Sequence, residues 1–253
     1  MRSKLLFILL FLFTLFGRAQ NNVLFEKATE AYNDGRYEKA LEFYEQILTN
    51  GQHSSELYFN MGNAFYKLNQ IGPSVYYYEK ALLLSPNDPE IINNLGYAKN
   101  MRLDAIEEMP ETAFAKFYGA VVNYLSFEQW SYLAVALMMV FVLGYIVYYL
   151  MRLALQKRIA FVVSILSLLL SVAALVLAYL QYEDYKSNNP AIVFAREIAV
   201  TAEPNNRSER VFSLHEGTKV NVVDELGDWN KIRIADGQTG WLPSNNIKLL
   251  KDF

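Results

Sequence analysis

The sequence predicts a multidomain membrane protein, in which an all-α helical repeat and a small all-β barrel flank a two-helix transmembrane hairpin. Three observations support this fold class. The chain matches itself at a spacing of 34 residues before residue 108. Two long central segments lack ionisable residues, and apolar residues alternate with polar ones after residue 190.

Composition excludes several classes of function. Hydrophobic residues make up 53% of the 253 residues, more than in an ordinary soluble domain. The net charge of -3 gives no electrostatic reason to bind nucleic acid, which is therefore not an expected partner. The chain has no cysteine, so disulfides, thiolate metal sites and a cysteine nucleophile are all excluded.

The N-terminus has the order of features typical of a secretory signal. Arg2 and Lys4 precede an apolar run over 5–16, and the small residues Gly17 and Ala19 follow it. This order predicts a signal peptide over 1–19. The alternative is an uncleaved anchoring helix, and N-terminal sequencing of the mature protein distinguishes the two.

The two segments without ionisable residues cover 129–151 and 159–181. At a rise of about 1.5 Å per residue, each helix would be roughly 35 Å long, which is enough to cross a bilayer. The connection over 152–158 carries three basic residues and no acid, so we expect it in the cytoplasm. The outer flanks instead carry the acids Glu107, Glu108, Glu111, Glu183 and Asp184. This topology puts the protein in the inner (cytoplasmic) membrane, with both termini of the mature chain on the periplasmic side.

The segment over 109–128 is expected to be a linker or an interfacial helix. Phe114, Phe117, Tyr118 and Val121 recur in it at helical spacing, which suits a helix lying on the membrane surface. Ser126 and Gln129 have the spacing of a capping box, so we expect the first spanning helix to begin there. Neither span contains an ionisable residue, and this argues against a transporter or a proton relay.

The self-similar region covers 20–108. Ala28, Gly62 and Gly96 follow one another at intervals of 34 residues, the tetratricopeptide period. The predicted units cover 21–54, 55–88 and, as a partial third, 89–108. Small residues at these positions are expected where paired helices cross closely. Gly35 and Asn69 occupy equivalent positions and predict the turns between helices, since Asn tolerates the left-handed conformation.

The second unit resembles the tetratricopeptide pattern most closely, through Tyr58, Gly62, Phe65, Tyr78 and Pro86. That resemblance implies binding of protein segments in a groove lined by the first helix of each unit. The candidate partner-binding residues in this groove are Phe59, Asn63, Tyr66, Asn93 and Tyr97. Ordinary packing and solvation remain the alternative for each of them.

The region over 190–253 is predicted to form a small barrel. Apolar residues alternate in 198–200, 220–222 and 232–234, with turn residues between them. The segments 215–220, 227–232 and 236–242 resemble a bacterial SH3 domain in sequence and in order. Trp229 and Trp241, which belong to this pattern, are candidates either for the core or for a ligand platform.

No catalytic, cofactor-binding or metal-binding residues are predicted, so we do not expect an enzyme. The two histidines, His53 and His215, lie beside turn-forming residues in different domains, and surface positions are expected for both. The chain contains neither a phosphate-binding loop nor a nucleophile elbow.

The order of signal peptide, repeats, charged linker, hairpin and SH3-like domain resembles the BatE-like proteins of the Bacteroides aerotolerance (Bat) family. That resemblance implies a subunit of an envelope complex, encoded beside a MoxR-type ATPase and membrane proteins with von Willebrand A domains. It implies a role in aerotolerance or envelope stress. The expected function is a noncatalytic adaptor or scaffold that binds other Bat-type subunits. The alternative is a protein that binds or senses cell-wall peptidoglycan through the SH3-like domain.

Overall fold

The computed structural model describes residues 21–104, 106, 109–110 and 112–251. The predicted signal peptide and the linker acids Glu107, Glu108 and Glu111 lie outside the described residues. Two compact units are present. One contains the repeat domain together with the C-terminal sheet domain, and the other covers 109–188. The predicted fold class is confirmed, because the chain combines repeat-like helices, two long apolar helices and an antiparallel all-β sheet.

Among the residues that the structure describes, the repeat domain has five helices. They cover 21–33 (α1), Tyr37–Thr49 (α2), Ser55–Lys67 (α3), Ile71–Leu84 (α4) and Pro89–Asn100 (α5). The side chain of Ser54 caps α3 by accepting from the Leu57 N–H at 3.1 Å. Between α1 and α2 the turn uses Gly35 at φ 76°, and between α3 and α4 it uses Asn69 at φ 58°. Both predicted turn residues therefore adopt the left-handed conformation.

Close helix packing in the second repeat, over 55–88, depends on Gly62. A Cβ atom there would lie 2.6 Å from the ring of Tyr78, so no larger residue fits between α3 and α4. Ser74 donates from its hydroxyl to the Gly62 carbonyl at 2.9 Å and fixes the same crossing. Gly96 differs, because a Cβ there would meet nothing within 4 Å. The expectation that Gly96 marks a close crossing is wrong, because among the described residues between α5 and residue 110 no helix packs against it.

The other compact unit, over 109–188, contains three helices among its described residues. One is short, Ala113–Val122 (α6), and two are long, Phe127–Leu150 (α7) and Ala154–Ser187 (α8). Both long helices are long and apolar enough to cross a membrane. The predicted capping box forms, because Ser126 Oγ accepts from the Gln129 N–H and Gln129 Oε1 accepts from the Ser126 N–H. Helix α8 extends past the apolar segment 159–181 at both ends and takes in part of 152–158.

Small residues allow α7 and α8 to approach closely. A Cβ atom at Gly144 would overlap Ser164 Oγ, and Ser171 Oγ donates to the Ala134 carbonyl at 2.8 Å. The buried side chains of α8 form one stripe, which consists of Ala160, Ser164, Ser167, Ser171, Ala174 and Ala178. Small residues of this kind are typical of helix pairs in membranes.

The C-terminal sheet domain has seven strands in the order β3-β2-β6-β5-β4-β1-β7. All six neighbouring pairs are antiparallel. The strands are Asn189–Val193 (β1), Glu197–Thr201 (β2), Arg210–His215 (β3), Lys219–Leu226 (β4), Trp229–Arg233 (β5), Thr239–Pro243 (β6) and Ile247–Leu249 (β7). The alternating segments 198–200 and 220–222 fall in β2 and β4, and 232–234 covers the end of β5 and the residue directly after it. Their apolar residues, such as Val200, Val222 and Ile232, form the core of the sheet domain.

Candidate functional site

Four helices of the repeat domain, α1, α3, α4 and α5, line a groove of about 290 Å³. We call it the tyrosine groove, and its lining consists of Tyr32, Asn63, Tyr66, Lys67, Tyr78, Asn94 and Tyr97. Three of the predicted residues, Asn63, Tyr66 and Tyr97, therefore come together. Tyr97 is the most open of the three, with 56% of its surface exposed. Exposed tyrosines beside amide side chains can pack against a partner and also form hydrogen bonds with it.

Hydrogen bonds make the floor of the tyrosine groove rigid. Asn63 Oδ1 accepts from the Tyr78 hydroxyl at 2.6 Å and from Asn94 Nδ2 at 2.9 Å. These bonds join α3, α4 and α5. Burial raises the pKa of the Tyr78 phenol above its ordinary value, so this hydroxyl stays protonated and keeps donating. Because the Asn63 oxygen is used internally, its side-chain NH₂ is the group available to a ligand.

The other two predicted groove residues lie beside the tyrosine groove. Phe59 lines a separate cavity of about 290 Å³ with Ser55, Ser85 and Asp88. Its ring also packs on Tyr78, with centroids 5.9 Å apart. Asn93 is exposed one turn before Tyr97 on α5 and lines none of the cavities described here.

Four lining residues, Tyr32, Lys67, Tyr78 and Asn94, were not predicted as site residues. A signal for Tyr32 was available, because it stands one 34-residue period before Tyr66 (66−32 = 34). Tyr78 and Asn94 belong to the site through their hydrogen bonds to Asn63. The 34-residue spacing of the sequence does not indicate hydrogen bonds between side chains on different helices.

The sheet domain has a cleft of about 550 Å³ beside Trp229. We call it the tryptophan cleft, and its lining consists of Asn206, Asp228, Trp229, Pro243, Ser244 and Asn245. Strand pairing places Trp229 opposite Pro243, and the backbone N–H of Ser244 donates to the Asp228 carbonyl at 2.8 Å. The cleft therefore has a fixed aromatic wall and a polar rim.

Trp241 does not line the tryptophan cleft. It lies opposite Lys231 in the pairing of β5 with β6, and the Lys231 Nζ is 5.9 Å from its ring centroid. Both tryptophans are partly buried, whereas Ile232 and Leu242 fill the core. Of the two tryptophans, Trp229 alone lines the tryptophan cleft.

The repeat domain and the sheet domain share a hydrophobic core. Ile192 and Leu250 of the sheet domain are fully buried in one cluster with Val75 and Tyr76 of α4. The ring of Phe194 meets that of Tyr76 edge to face, with centroids 5.4 Å apart. The two domains therefore form one unit across this contact, which we call the repeat–sheet interface.

A buried carboxylate joins three elements at the repeat–sheet interface. Glu79 on α4 is 5% exposed and pairs with Lys99 of α5 at 2.9 Å and with Lys219 of β4 at 2.6 Å. Burial by itself raises the pKa of the Glu79 carboxyl, but the charges and hydrogen bonds of the two lysines outweigh it. The pKa of Glu79 is therefore held below its ordinary value.

A second carboxylate, Asp104, holds the turn before β4. It accepts from the Thr218 hydroxyl at 2.6 Å, and from the backbone N–H and the ring Nδ1 of His215 at 2.7 Å each. Burial raises the pKa of Asp104, but these hydrogen bonds outweigh that effect and lower it below its ordinary value. The expectation that His215 is a simple surface turn residue is wrong, because Asp104 binds it from the other domain.

Comparison with known proteins assigns both domains. Residues 198–248 match the family model of the bacterial SH3 domain. Residues 55–88 match the family model of the tetratricopeptide repeat. No curated protein matches the chain. The chain thus contains a tetratricopeptide repeat and a bacterial SH3 domain, which are typically non-catalytic. In the part of the chain that the structure describes, no group of three or more His, Asp or Glu side chains could hold a metal ion.

Proposed function

We propose that the chain is a noncatalytic adaptor or scaffold subunit of an envelope membrane complex. Its tyrosine groove and its SH3 domain bind protein partners, and its hairpin packs among other membrane subunits. Tetratricopeptide repeats and SH3 domains are interaction modules, so protein partners are the expected ligands.

One observation carries this proposal. The interface residues Glu79, Asp104, Ile192 and Leu250 line neither the tyrosine groove nor the tryptophan cleft. The two domains are therefore joined while both surfaces stay open. An adaptor needs this arrangement if it is to hold two partners, or two parts of one partner, at the same time.

We also propose that the hairpin crosses the inner membrane twice, with both binding surfaces in the periplasm. Asp104 and His215 lie on opposite sides of the hairpin in sequence, yet they are 2.7 Å apart. Such contact requires both flanks on one side of the membrane, which two spans provide. The basic connection 152–158 supports a cytoplasmic location for the turn of the hairpin.

The partners that we propose are other Bat-type membrane subunits with von Willebrand A domains. The proposed role of the complex is in aerotolerance or the envelope stress response. The support is the order of the domains along the chain, which resembles the BatE-like proteins of that family. Protein segments that present backbone amides and apolar side chains suit the tyrosines and amides of the groove.

Replacing the partly buried Tyr66 and the exposed Tyr97 by alanine is expected to weaken partner binding without unfolding the repeat. The double variant Tyr66→Ala plus Tyr97→Ala removes apolar contact area and two hydroxyls, and about a 10-fold to 100-fold loss of affinity is expected. Tagged full-length chain is purified in mild detergent from its native cells, and co-purifying proteins are quantified by mass spectrometry.

Ile92→Ala serves as the matched control, because Ile92 is exposed on α5, the helix of Tyr97, and does not line the groove. It is expected to leave recovery unchanged. Equal recovery of all partners by the double variant and by wild type would reject the groove as the binding surface.

A second candidate function is peptidoglycan binding through the tryptophan cleft. The aromatic wall of Trp229 with Asn206, Asp228 and Asn245 around it offers both stacking and hydrogen bonding, as a sugar chain requires. Co-sedimentation of the full chain with purified sacculi tests it, with Trp229→Ala as the variant. The full chain is needed because an isolated SH3 domain would expose Ile192 and Leu250. Sedimentation that Trp229→Ala abolishes would favour this function over the adaptor.

A further inference from the structure

We propose that α6 lies on the outer surface of the bilayer, with Phe114, Phe117 and Val121 inserted among the lipids. This inference rests on the proposed crossing of the membrane by α7 and α8. It assigns a lipid ligand to a segment that the adaptor function does not otherwise use.

One stripe of α6 is apolar and open. Phe114 is 77% exposed, Phe117 69% and Val121 37%. At about 100° per residue, these three side chains fall within an arc of roughly 60°. Lys116 is the only charged residue of α6, and it lies roughly 100° to 160° around the helix from them. An apolar stripe with a cation off to one side is the pattern of a helix lying at a membrane interface.

The face of α6 beside this stripe is attached to the hairpin, because Tyr118 and Val122 lie roughly 40° and 80° around the helix from Phe114. Val122 is 1% exposed, and its carbonyl accepts from the indole N–H of Trp130 at 3.0 Å. The Tyr118 hydroxyl donates to Asp184 Oδ2 at 3.1 Å, and Gln181 Nε2 donates to Asn123 Oδ1 at 3.4 Å. These contacts fix the rotation of α6, so Phe117, roughly 140° around the helix from Val122, stays turned away from the hairpin, and Phe114 and Val121 lie between the two faces.

The attachment points set the depth of α6. Gln181 ends the segment without ionisable residues, and Asp184 is among the first acids after it. The ring of Phe127 meets those of Tyr182 and Tyr185, each at 6.1 Å between centroids. Aromatic side chains of this kind gather where acyl chains meet headgroups. The bilayer is therefore the partner that the open stripe meets, because the stripe continues the apolar surface of the hairpin at that level.

Single-cysteine labelling tests the inference, because the chain has no cysteine of its own. Full-length Phe117→Cys, Lys116→Cys and Leu169→Cys are purified, labelled with an environment-sensitive fluorophore and reconstituted in phosphatidylcholine vesicles. Leu169 is 62% exposed in the middle of α8 and reports insertion of the hairpin. Lipids brominated on the acyl chain should quench the label at 117 roughly twofold more than the label at 116, and iodide in the buffer should show the reverse order.

The three labels separate the two proposals. Strong lipid quenching at 169 with equal quenching at 116 and 117 would overturn the surface position of α6 and leave the membrane hairpin intact. A label at 117 that neither quencher reaches would mean that protein covers the stripe, which would also overturn the inference. Absence of lipid quenching at 169 would contradict the membrane hairpin itself.

Discussion

Replacement of Leu250 by alanine is expected to lower the free energy of unfolding of the combined repeat and SH3 unit by about 3 kcal/mol. Leu250 is fully buried in a core that also contains Tyr76, Val75 and Ile192. The missing methyl groups would leave a cavity between the two domains, and the close packing of α4 against β1 limits its collapse. Both domains should therefore lose stability together.

Urea unfolding of the full chain in detergent micelles measures this effect with two signals. Tryptophan fluorescence reports mainly the SH3 domain through Trp229 and Trp241, while circular dichroism reports the repeat helices above a constant signal from the hairpin. Both transitions should move to lower urea. Leu249→Ala is the control, since this neighbour is 38% exposed and should cost less than about 1 kcal/mol. A shift of the fluorescence transition alone would contradict a shared core.

Replacement of Glu79 by alanine is expected to cost about 2 kcal/mol, because it leaves two lysines together without their carboxylate. Lys99 and Lys219 remain partly exposed, with 36% and 44% of their side chains accessible. Water can therefore stabilise part of their charge, and the loss is smaller than for a fully buried ion pair. The rest of the cost comes from repulsion between the two cations across the repeat–sheet interface.

The pH dependence of this loss identifies its cause. The pKa of Glu79 is lower in the folded unit than in the unfolded chain, so the folded state binds fewer protons at this site. Its contribution is complete above the unfolded value of about 4.3 and is lost as the pH falls through the folded value. The difference in stability between wild type and Glu79→Ala should therefore shrink on acidification. Glu45→Ala, at an exposed position on α2, is the control and should change the free energy of unfolding by less than about 0.5 kcal/mol. A pH-independent difference for Glu79→Ala would rule out the ion pairs as its origin.

Local features of the repeat were predictable because each follows from nearby residues. The turn at Asn69 follows from its equivalence to Gly35, and the crossing at Gly62 follows from the repeat period. The start of α7 follows from the capping box at Ser126. In each of these cases the determining residues lie within a single helix pair or a single turn.

The repeat–sheet interface could not be predicted in the same way. Asp104 and His215 are 111 residues apart, with the whole hairpin between them. Ile192 looks like any strand residue in the sequence, and no periodicity indicates that it packs against α4. The prediction of a close helix crossing at Gly96 is wrong for a related reason, since such a crossing requires another helix to follow α5.

The candidate site was predictable only in part. The repeat pattern brings Asn63, Tyr66 and Tyr97 to one face, and these residues do line one groove. The bonds from Tyr78 and Asn94 to Asn63 depend on the angle between helices, which the pattern does not specify. In the SH3 domain, the two tryptophan motifs do not reveal that Trp229 borders the cleft and Trp241 does not.

The location of both binding surfaces on the outer side of the membrane is tested most directly by labelling single cysteines in spheroplasts with a membrane-impermeant maleimide. Tyr97→Cys reports the tyrosine groove, Asn245→Cys the tryptophan cleft and Gln156→Cys the turn of the hairpin. We predict labelling of the first two in intact spheroplasts and labelling of the third only after lysis. If Tyr97→Cys or Asn245→Cys is protected in intact spheroplasts, the result contradicts an adaptor with both surfaces outside the membrane. Labelling of Gln156→Cys before lysis would contradict it equally.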